Sequence, residues 1–483
     1  MLGRMGQYGS DSGARGSILI VTMWIILVLA GLVLVLGRTM RVEGNASANE
    51  AAELQADAIE QGAIQYILAR TDGLAGAVPS DLDMPCDGIR VGDGAFWIIR
   101  PNFDDDTAYA YGLVDEASKV HLNTGTRAML SMLPGMTPEM AASTLDWRDG
   151  DDTTTAGGAE SEFYLLQSPG YQCKNAPLET VEELLLVKDF TRDVLCGEDL
   201  NQNGVLEEGK DLDGDGVLNR GLAPFVTVYS AEPNTPAGAT APTSVNSLNA
   251  ITALVTRVLP SSSQQRVLTN IRMALAPPAP APARGGRGAT PVVAAAPAPT
   301  PFRNIMDFYV RSGMTADDFA LIAGQITSRT GGGSSTGLIN VGTAPKEVLA
   351  CLPGLAEADV AALVAQRDLG IPDANSVAWV VKVLSPAKLV GIGNSITAKS
   401  YQFSADIVSV VGGGRAFRRC RVVVDASTSP PKVIYRQNLT YLGWPLPEEI
   451  LDQLRVGANL DEVIAAAQTA AANNNPFLKT GLR

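Results

Sequence analysis

The hydrophobic pattern is strongest near the start of the chain. Residues 17–37, SILIVTMWIILVLAGLVLVLG, carry no charge and are almost wholly apolar. A run of about twenty such residues is what an α-helix needs to cross a bilayer. Arg4 and Arg15 precede the run and Arg38 and Arg41 follow it, so charge counting gives only a weak orientation. From 38 to 70 the pattern becomes amphipathic. Ile59, Ala63 and Ile67 recur four apart, with Ile64 and Leu68 beside them. No proline interrupts 17–78, so one long helix is expected, spanning lipid first and water second. Its second half needs a sheet to cover the apolar stripe.

Two segments can supply that sheet. Residues 88–118 hold GAFWIIRPNF and the start of YAYGLVDEASKVHLN (109–123), parted by an acidic turn at Asp104–Asp106. Residues 399–442 hold two alternating runs joined at Gly412–Gly414, a hairpin signal, and then KVIYRQNLTYL. Between them the chain reads mostly helical, over 119–275 and 302–398. The stretch 276–301, APPAPAPARGGRGATPVVAAAPAPTP, is an extended Ala/Pro linker, and 232–242 is a shorter one. The tail, 443–483, shows one helical stripe and a polar end without an assigned function. The fold class expected is α+β: a long N-terminal helix plus an antiparallel sheet, interrupted by a large, mainly helical insertion.

The insertion contains a repeat. VHLNTGTRAMLSMLPGMTPEMAASTLDWRD from Val120 aligns without a gap on INVGTAPKEVLACLPGLAEADVAALVAQRD from Ile339. Each copy reads as helix, Pro-Gly turn and helix, and resembles a helix-hairpin-helix unit; Gly135 and Gly354 permit the turn. Such units often bind DNA, but few cations flank these turns. The net charge of −14 over 483 residues also disfavours phosphate backbones. No nucleic-acid partner is therefore expected.

Composition removes other chemistries. The five cysteines contain no CxxC pair, and His121 is the only histidine, so a zinc site is not expected. The cysteines read as lone buried thiols. No GxSxG elbow accompanies His121, and GGGSSTG (331–337) lacks the ending of a phosphate loop. Asp146, Asp149, Asp151, Asp152 and Glu160 read as a solvated acidic loop rather than catalytic carboxylates. Arg415, Arg418, Arg419 and Arg421 read as a solvated or interface strand.

The strongest local site signal is EDLNQNGVLEEGKDLDGDGVLN, residues 198–219. Oxygen ligands alternate and a glycine follows, twice: Asp199, Asn201, Asn203, then Gly204; and Asp211, Asp213, Asp215, then Gly216. That spacing turns oxygens into one loop around a hard cation. Position twelve is Lys210 in the first loop and Leu222 in the second, so neither carries the bidentate glutamate of an EF-hand. Further ligands would come from Glu207, Glu208 or Asn219. A structural Ca²⁺ is expected, with Asp199, Asn201, Asn203, Glu207, Asp211, Asp213 and Asp215 as its ligand candidates.

Ahead of the apolar run stands a polar leader, 1–16, that ends Arg15-Gly16. This resembles the class III signal of type IV pilins and type II secretion pseudopilins. The resemblance implies cleavage after Gly16 by a prepilin peptidase and methylation of Ser17. With VDEASKVHLNTGTRAMLSMLPGM, DWRD, KNAPLETVEELLLVKDF and INVGTAPKEVLACLPGL added, the chain resembles the minor pseudopilin K family of type II secretion (GspK). That resemblance implies a pilin-like domain interrupted by an α-domain, with calcium sites. It further implies minor pseudopilins I and J and the inner-membrane secretion platform as partners. Most pilins carry glutamate at mature position five, paired with a neighbour's terminal amine; here that position is Val21. A carboxylate in the bilayer is costly unless paired, and a subunit at the fibre tip has no neighbour above it. The expected function is thus a non-enzymatic tip subunit that starts pseudopilus assembly. It would be single-pass in the inner membrane, with its bulk in the periplasm. The alternatives are a minor pilin of a type IV pilus or competence system, a membrane-anchored enzyme and a DNA-uptake receptor.

Overall fold

The computed structural model describes residues 13–235, 241–277, 298–329, 331–371 and 373–474. Most of the expected leader (1–12), the centre of the Ala/Pro linker (278–297) and the end of the tail (475–483) lie outside the described residues.

Helix α1 (Gly13–Thr71) is continuous over 59 residues and passes through the Gly16–Ser17 junction. At 1.5 Å per residue it is about 90 Å long. It has two environments. Apolar side chains from Ile18 to Leu36, with Met40 and Val42, are exposed. From Ala52 onward a stripe is buried: Ala52, Ala56, Ile59, Ala63, Ile64 and Ile67. Steps of three and four keep these residues on one face. The small alanines let the helix lie close on a sheet while the isoleucines fill its pleats.

That sheet has seven strands: β1 (Ile89–Val91), β2 (Gly94–Arg100), β3 (Ala110–Tyr111), β4 (Val114–Asp115), β5 (Gln402–Val411), β6 (Phe417–Asp425) and β7 (Lys432–Asn438). The order is β1-β2-β5-β6-β7, all antiparallel, with β3 on β2 and β4 on the end of β5. Ile407 of β5 pairs with Ile98 on one side and Cys420 on the other. The two sequence segments therefore meet in the middle of one sheet, and everything between β4 and β5 is inserted.

All ten residues of β5 are buried, so both faces of the sheet must be covered. Phe96, Ile98, Phe403, Ala405, Ile407 and Val422 pack under α1. Ala95, Trp97, Val408 and Val410 face Leu446, Ile450, Leu454, Leu460 and Ile464 of the tail. The tail helices thus form the sheet's second cover, a role its sequence alone did not suggest.

The insertion consists of three like-built units. Each opens and closes on a two-residue parallel bridge: Val120–His121 with Val226–Thr227, Thr243–Ser244 with Ile326–Thr327, and Ile339–Asn340 with Ile396–Thr397. The backbone N–H groups of Leu122, Val245 and Val341 donate to the carbonyls of Thr227, Thr327 and Thr397 at 2.8, 2.8 and 3.0 Å. In each closing strand the threonine hydroxyl accepts from the backbone two residues on, at Tyr229, Arg329 and Lys399. Helix pairs follow the opening strands: α2 (Arg127–Leu130) and α3 (Pro138–Arg148), α4 (Leu248–Val258) and α5 (Ser261–Leu275), α6 (Lys346–Ala350) and α7 (Glu357–Asp368). The sequence repeat marks the first and third units; the second was not read from it. The three share one continuous core.

Other expectations change. The run YAYGLVDEASKVHLN is not one strand. It breaks into β3, β4 and a 3-10 turn, and His121 leaves the main sheet to pair with Thr227. GGGSSTG is partly ordered, because Ser334–Thr336 pairs with Ala231–Pro233. One expectation is unchanged: the five cysteines, read as lone buried thiols, are free and buried.

Candidate cation loops and the buried charges beside them

The two acidic loops follow a short helix, Arg192–Cys196, and the first lies against β5 and β6 of the sheet. In the first loop the side chains turn inward, as the alternate spacing requires. Asp199 accepts from the backbone N–H of Asn203 (3.1 Å) and Gly204 (2.7 Å), and Asn203 Oδ1 from Val205 (3.1 Å). Gly204 has a φ of +75°, and a Cβ there would lie 2.9 Å from Pro101 Cα, so only glycine lets the loop close.

The centre of this loop holds the Lys210 ammonium. Its Nζ lies 2.9 Å from Asp199 Oδ1, 2.7 Å from Asn201 Oδ1, 2.6 Å from Asn203 Oδ1 and 2.9 Å from the Val205 carbonyl. Glu207 Oε2 is 3.2 Å away. Burial works to raise the Glu207 carboxyl, but the ammonium and hydrogen bonds from Tyr109 and Asn203 outweigh it and hold it below its ordinary value. Ca²⁺ was expected on Asp199, Asn201, Asn203 and Glu207, and in this structure those side chains face the Lys210 Nζ. These oxygens converge, but on a cation the chain itself supplies.

The second loop holds no such lysine. Asp211 accepts from the N–H groups of Gly214 (2.7 Å) and Gly216 (3.1 Å), and Asp215 from Val217 (2.7 Å). Carboxylate oxygens of Glu198, Asp211 and Asp213 lie within 4.8 Å of one another. Glu198, which the sequence did not nominate, is buried and held by the N–H groups of Leu212 (2.7 Å) and Asn219 (3.0 Å). Hard oxygens at this spacing fit the coordination shell of Ca²⁺, whose ligand distances are about 2.3–2.6 Å. Asp215 is not part of that trio.

Both loops are tied to the sheet. Asp106, from the acidic turn, takes the N–H of Leu206 on its carbonyl (2.7 Å) and that of Leu218 on its carboxylate (3.0 Å), and pairs with Arg220 at 2.6 Å. Arg419 lies wholly buried in β6. It grips Asp406 of β5 with Nε (2.9 Å) and Nη2 (2.8 Å) and donates to the carbonyls of Asn201 (2.5 Å) and Gln202 (2.7 Å). Arg421 adds a bond to Asp406 at 3.1 Å. The reading of these arginines as a solvated or interface strand is corrected for Arg419 alone, which the antiparallel register leaves beneath the first cation loop; Arg415 is exposed.

The other acidic cluster is solvated only in part: Asp151 and Asp152 are exposed. Asp146 and Glu160 are buried, and with Asp149 their oxygens lie within 4.8 Å of one another. Asp146 accepts from Thr155 N–H, and a Cβ on Gly158 would sit 2.0 Å from its Oδ2, so glycine permits the approach. Neither Glu160 oxygen has a hydrogen-bond partner among the described residues. The Cys173 thiol beside it donates instead to the Asp146 carbonyl, 3.7 Å. Burial, reinforced by the Asp146, Asp149 and Asp152 charges, pushes the Glu160 carboxyl up to about 7. Burial also pushes the His121 imidazole down to about 4.

Comparison with known proteins bears on the first unit. Residues 123–196 match the family "Type II secretion system (T2SS), protein K". A 49-residue stretch is 45% identical to "Type II secretion system protein K" of Klebsiella pneumoniae. That stretch is 10% of this chain and spans 15% of the relative's length. Among solved structures, a chain from the GspK-GspI-GspJ complex of the enterotoxigenic Escherichia coli type 2 secretion system aligns over 83% of this chain and 98% of its own. The identity is 12% and the TM-score 0.37. The resemblance drawn from the sequence holds where it can be compared: residues 123–196 match the model of the type II secretion system protein K family.

Proposed function

We propose that this chain is a non-enzymatic minor pseudopilin that caps the type II secretion pseudopilus and starts its assembly. The observation that carries this reading is helix α1. Its first part is apolar and exposed and its second part is buried against a sheet, with no break between. One helix of the described residues is long and apolar enough to cross a membrane, and it is this one. Such a rod can sit in the inner membrane and later exchange lipid for the helices of other subunits, keeping the same apolar surface covered. Three units and a sheet then hang from one end of the rod, a bulk suited to a tip and not to a packed shaft.

The prepilin peptidase cuts between Gly16 and Ser17 and Ser17 is methylated. Minor pseudopilins I and J are the partners, the secretion platform is the assembly site, and the head lies in the periplasm. The three units serve as helix-hairpin-helix-like packing modules without nucleic acid. Calcium occupies the second loop, on Glu198, Asp211 and Asp213, with Asp215 shaping the turn. Its role is structural: it neutralises acidic groups that otherwise repel one another.

The test is genetic and biochemical. In a strain lacking the gene, export across the outer membrane is expected to stop, and a tagged copy is expected to restore it and to co-purify with pseudopilins I and J. Normal export in the deletion strain, or co-purification with a type IV pilus assembly instead, would overturn the proposal. For the calcium, Asp211→Asn with Asp213→Asn is expected to remove a chelator-sensitive rise in melting temperature.

A further inference from the structure

We propose that Lys210 is a built-in cation, and that loop 199–210 is an EF-hand-like cage closed on the chain's own ammonium and therefore takes no divalent metal as it stands. In an EF-hand loop the ligands come from positions one, three, five, seven through its carbonyl, nine and twelve, with glycine at six. Counting from Asp199, these are Asp199, Asn201, Asn203, the Val205 carbonyl, Glu207 and Lys210, with Gly204 at six. Five of the six are oxygens, and each lies 2.6–3.2 Å from one Nζ. The sixth position is the lysine that fills the centre.

An ammonium has three N–H bonds. Five oxygens around it are more than it can satisfy one by one, so the loop is shaped as a coordination shell and not as a lysine pocket. Charge balance points the same way. With glutamate at position twelve, three carboxylates would surround a doubly charged ion and leave a net charge of −1. Here Asp199 and Glu207 surround one ammonium, with the same remainder. Lysine thus replaces both the ion and the ligand that would hold it most firmly. A Ca²⁺ entering the loop would have to expel Lys210 into a site largely closed to solvent, with side chains of Lys210 and Asp199 only 13% and 8% exposed. It would do so without a bidentate carboxylate. Arg419 and the Pro445 carbonyl, which grip the loop from outside, hold the cage in place whether or not calcium is supplied.

The inference is independent of calcium in the second loop, and the experiment separates the two. Full-length protein in detergent carries Asp211→Asn and Asp213→Asn to silence the second loop, and calcium binding is measured by titration calorimetry and by melting with EGTA or millimolar Ca²⁺. Adding Lys210→Glu to this background is expected to create one new calcium equivalent per chain, with a Kd of about 10⁻⁴–10⁻³ M, as for extracellular modules. It is also expected to make the melting temperature depend on calcium. Adding Asp199→Asn instead is expected to leave the calcium stoichiometry unchanged. An unchanged stoichiometry with Lys210→Glu, or one equivalent lost with Asp199→Asn, would overturn the proposal. Lys210→Met is expected to lower the melting temperature equally with and without calcium; a calcium-independent melting curve identical to the parent's would also overturn it.

Discussion

Replacing Arg419 with methionine removes a side chain that joins β5, β6 and the first cation loop. The change keeps length and apolar bulk but deletes four hydrogen bonds, two to Asp406 and two to the carbonyls of Asn201 and Gln202. Asp406 is left buried with only Arg421 as a cationic partner. Breaking a buried ion pair from one side costs about 3–5 kcal/mol, because the remaining charge is uncompensated. Each buried carbonyl left without its donor adds about 1 kcal/mol or more. Arg421 offsets part of this, and a loss of about 4 kcal/mol follows. Urea unfolding of the full chain in detergent, followed by tryptophan fluorescence, measures it as a midpoint shift at constant slope. The double variant Arg419→Met with Asp406→Leu removes both charges and is expected to be more stable than Arg419→Met alone by at least about 1 kcal/mol. A loss below about 0.5 kcal/mol for the single variant, or a double variant that costs the sum of the two, would refute the reasoning.

Three further outcomes are expected. Glu160 holds a proton in the folded state up to about pH 7, whereas in the unfolded chain it releases it near its ordinary value. Its contribution to stability is therefore lost as pH rises from about 4.5 to 7, and Glu160→Gln in EGTA should melt higher than the parent at pH 8 and no higher at pH 5; no pH dependence in that difference would contradict this. His121 acts in the opposite sense in the acid range: its imidazole, held down to about 4, favours the unfolded state as pH falls below about 6.5. His121→Gln should flatten acid unfolding between those values, and an unaltered acid limb would contradict it. Ile67→Ala, at a fully buried position of α1, should cost about 2–5 kcal/mol by urea unfolding, whereas Leu34→Ala, on the exposed apolar part, should leave the head unchanged; equal losses would mean the two halves of α1 are not divided as described.

Much of the fold could be read from periodicity. The step from an unbroken apolar run to a stripe of three-four spacing marks where α1 passes from its exposed apolar part to the part laid on the sheet. The glycines at 412–414 mark the β5–β6 hairpin. The second unit escaped notice because its helix pair lacks the Pro-Gly turn, carrying Pro260-Ser261 instead. Its geometry resides in backbone bridges two residues long, which leave almost no pattern. The covering role of the tail was not legible, since an amphipathic stripe such as Leu446, Ile450 and Leu454 does not name the surface it packs on. The cation loops were visible as alternating oxygens, and position twelve as a missing glutamate. That Lys210 fills the place of the ion depends on its side chain folding back, which spacing alone does not express. Arg419 was misread because burial in a sheet is decided by what lies above each residue. What lies above it is a loop more than two hundred positions earlier in the chain.

The central claim is that α1 is exposed as a mature N-terminal rod by cleavage between Gly16 and Ser17. Intact mass and N-terminal peptide analysis of the protein from cells with and without the prepilin peptidase test it directly. The expected result is a chain that begins at methylated Ser17 only when the peptidase is present. A functional protein that still begins at Met1 in peptidase-competent cells would contradict it.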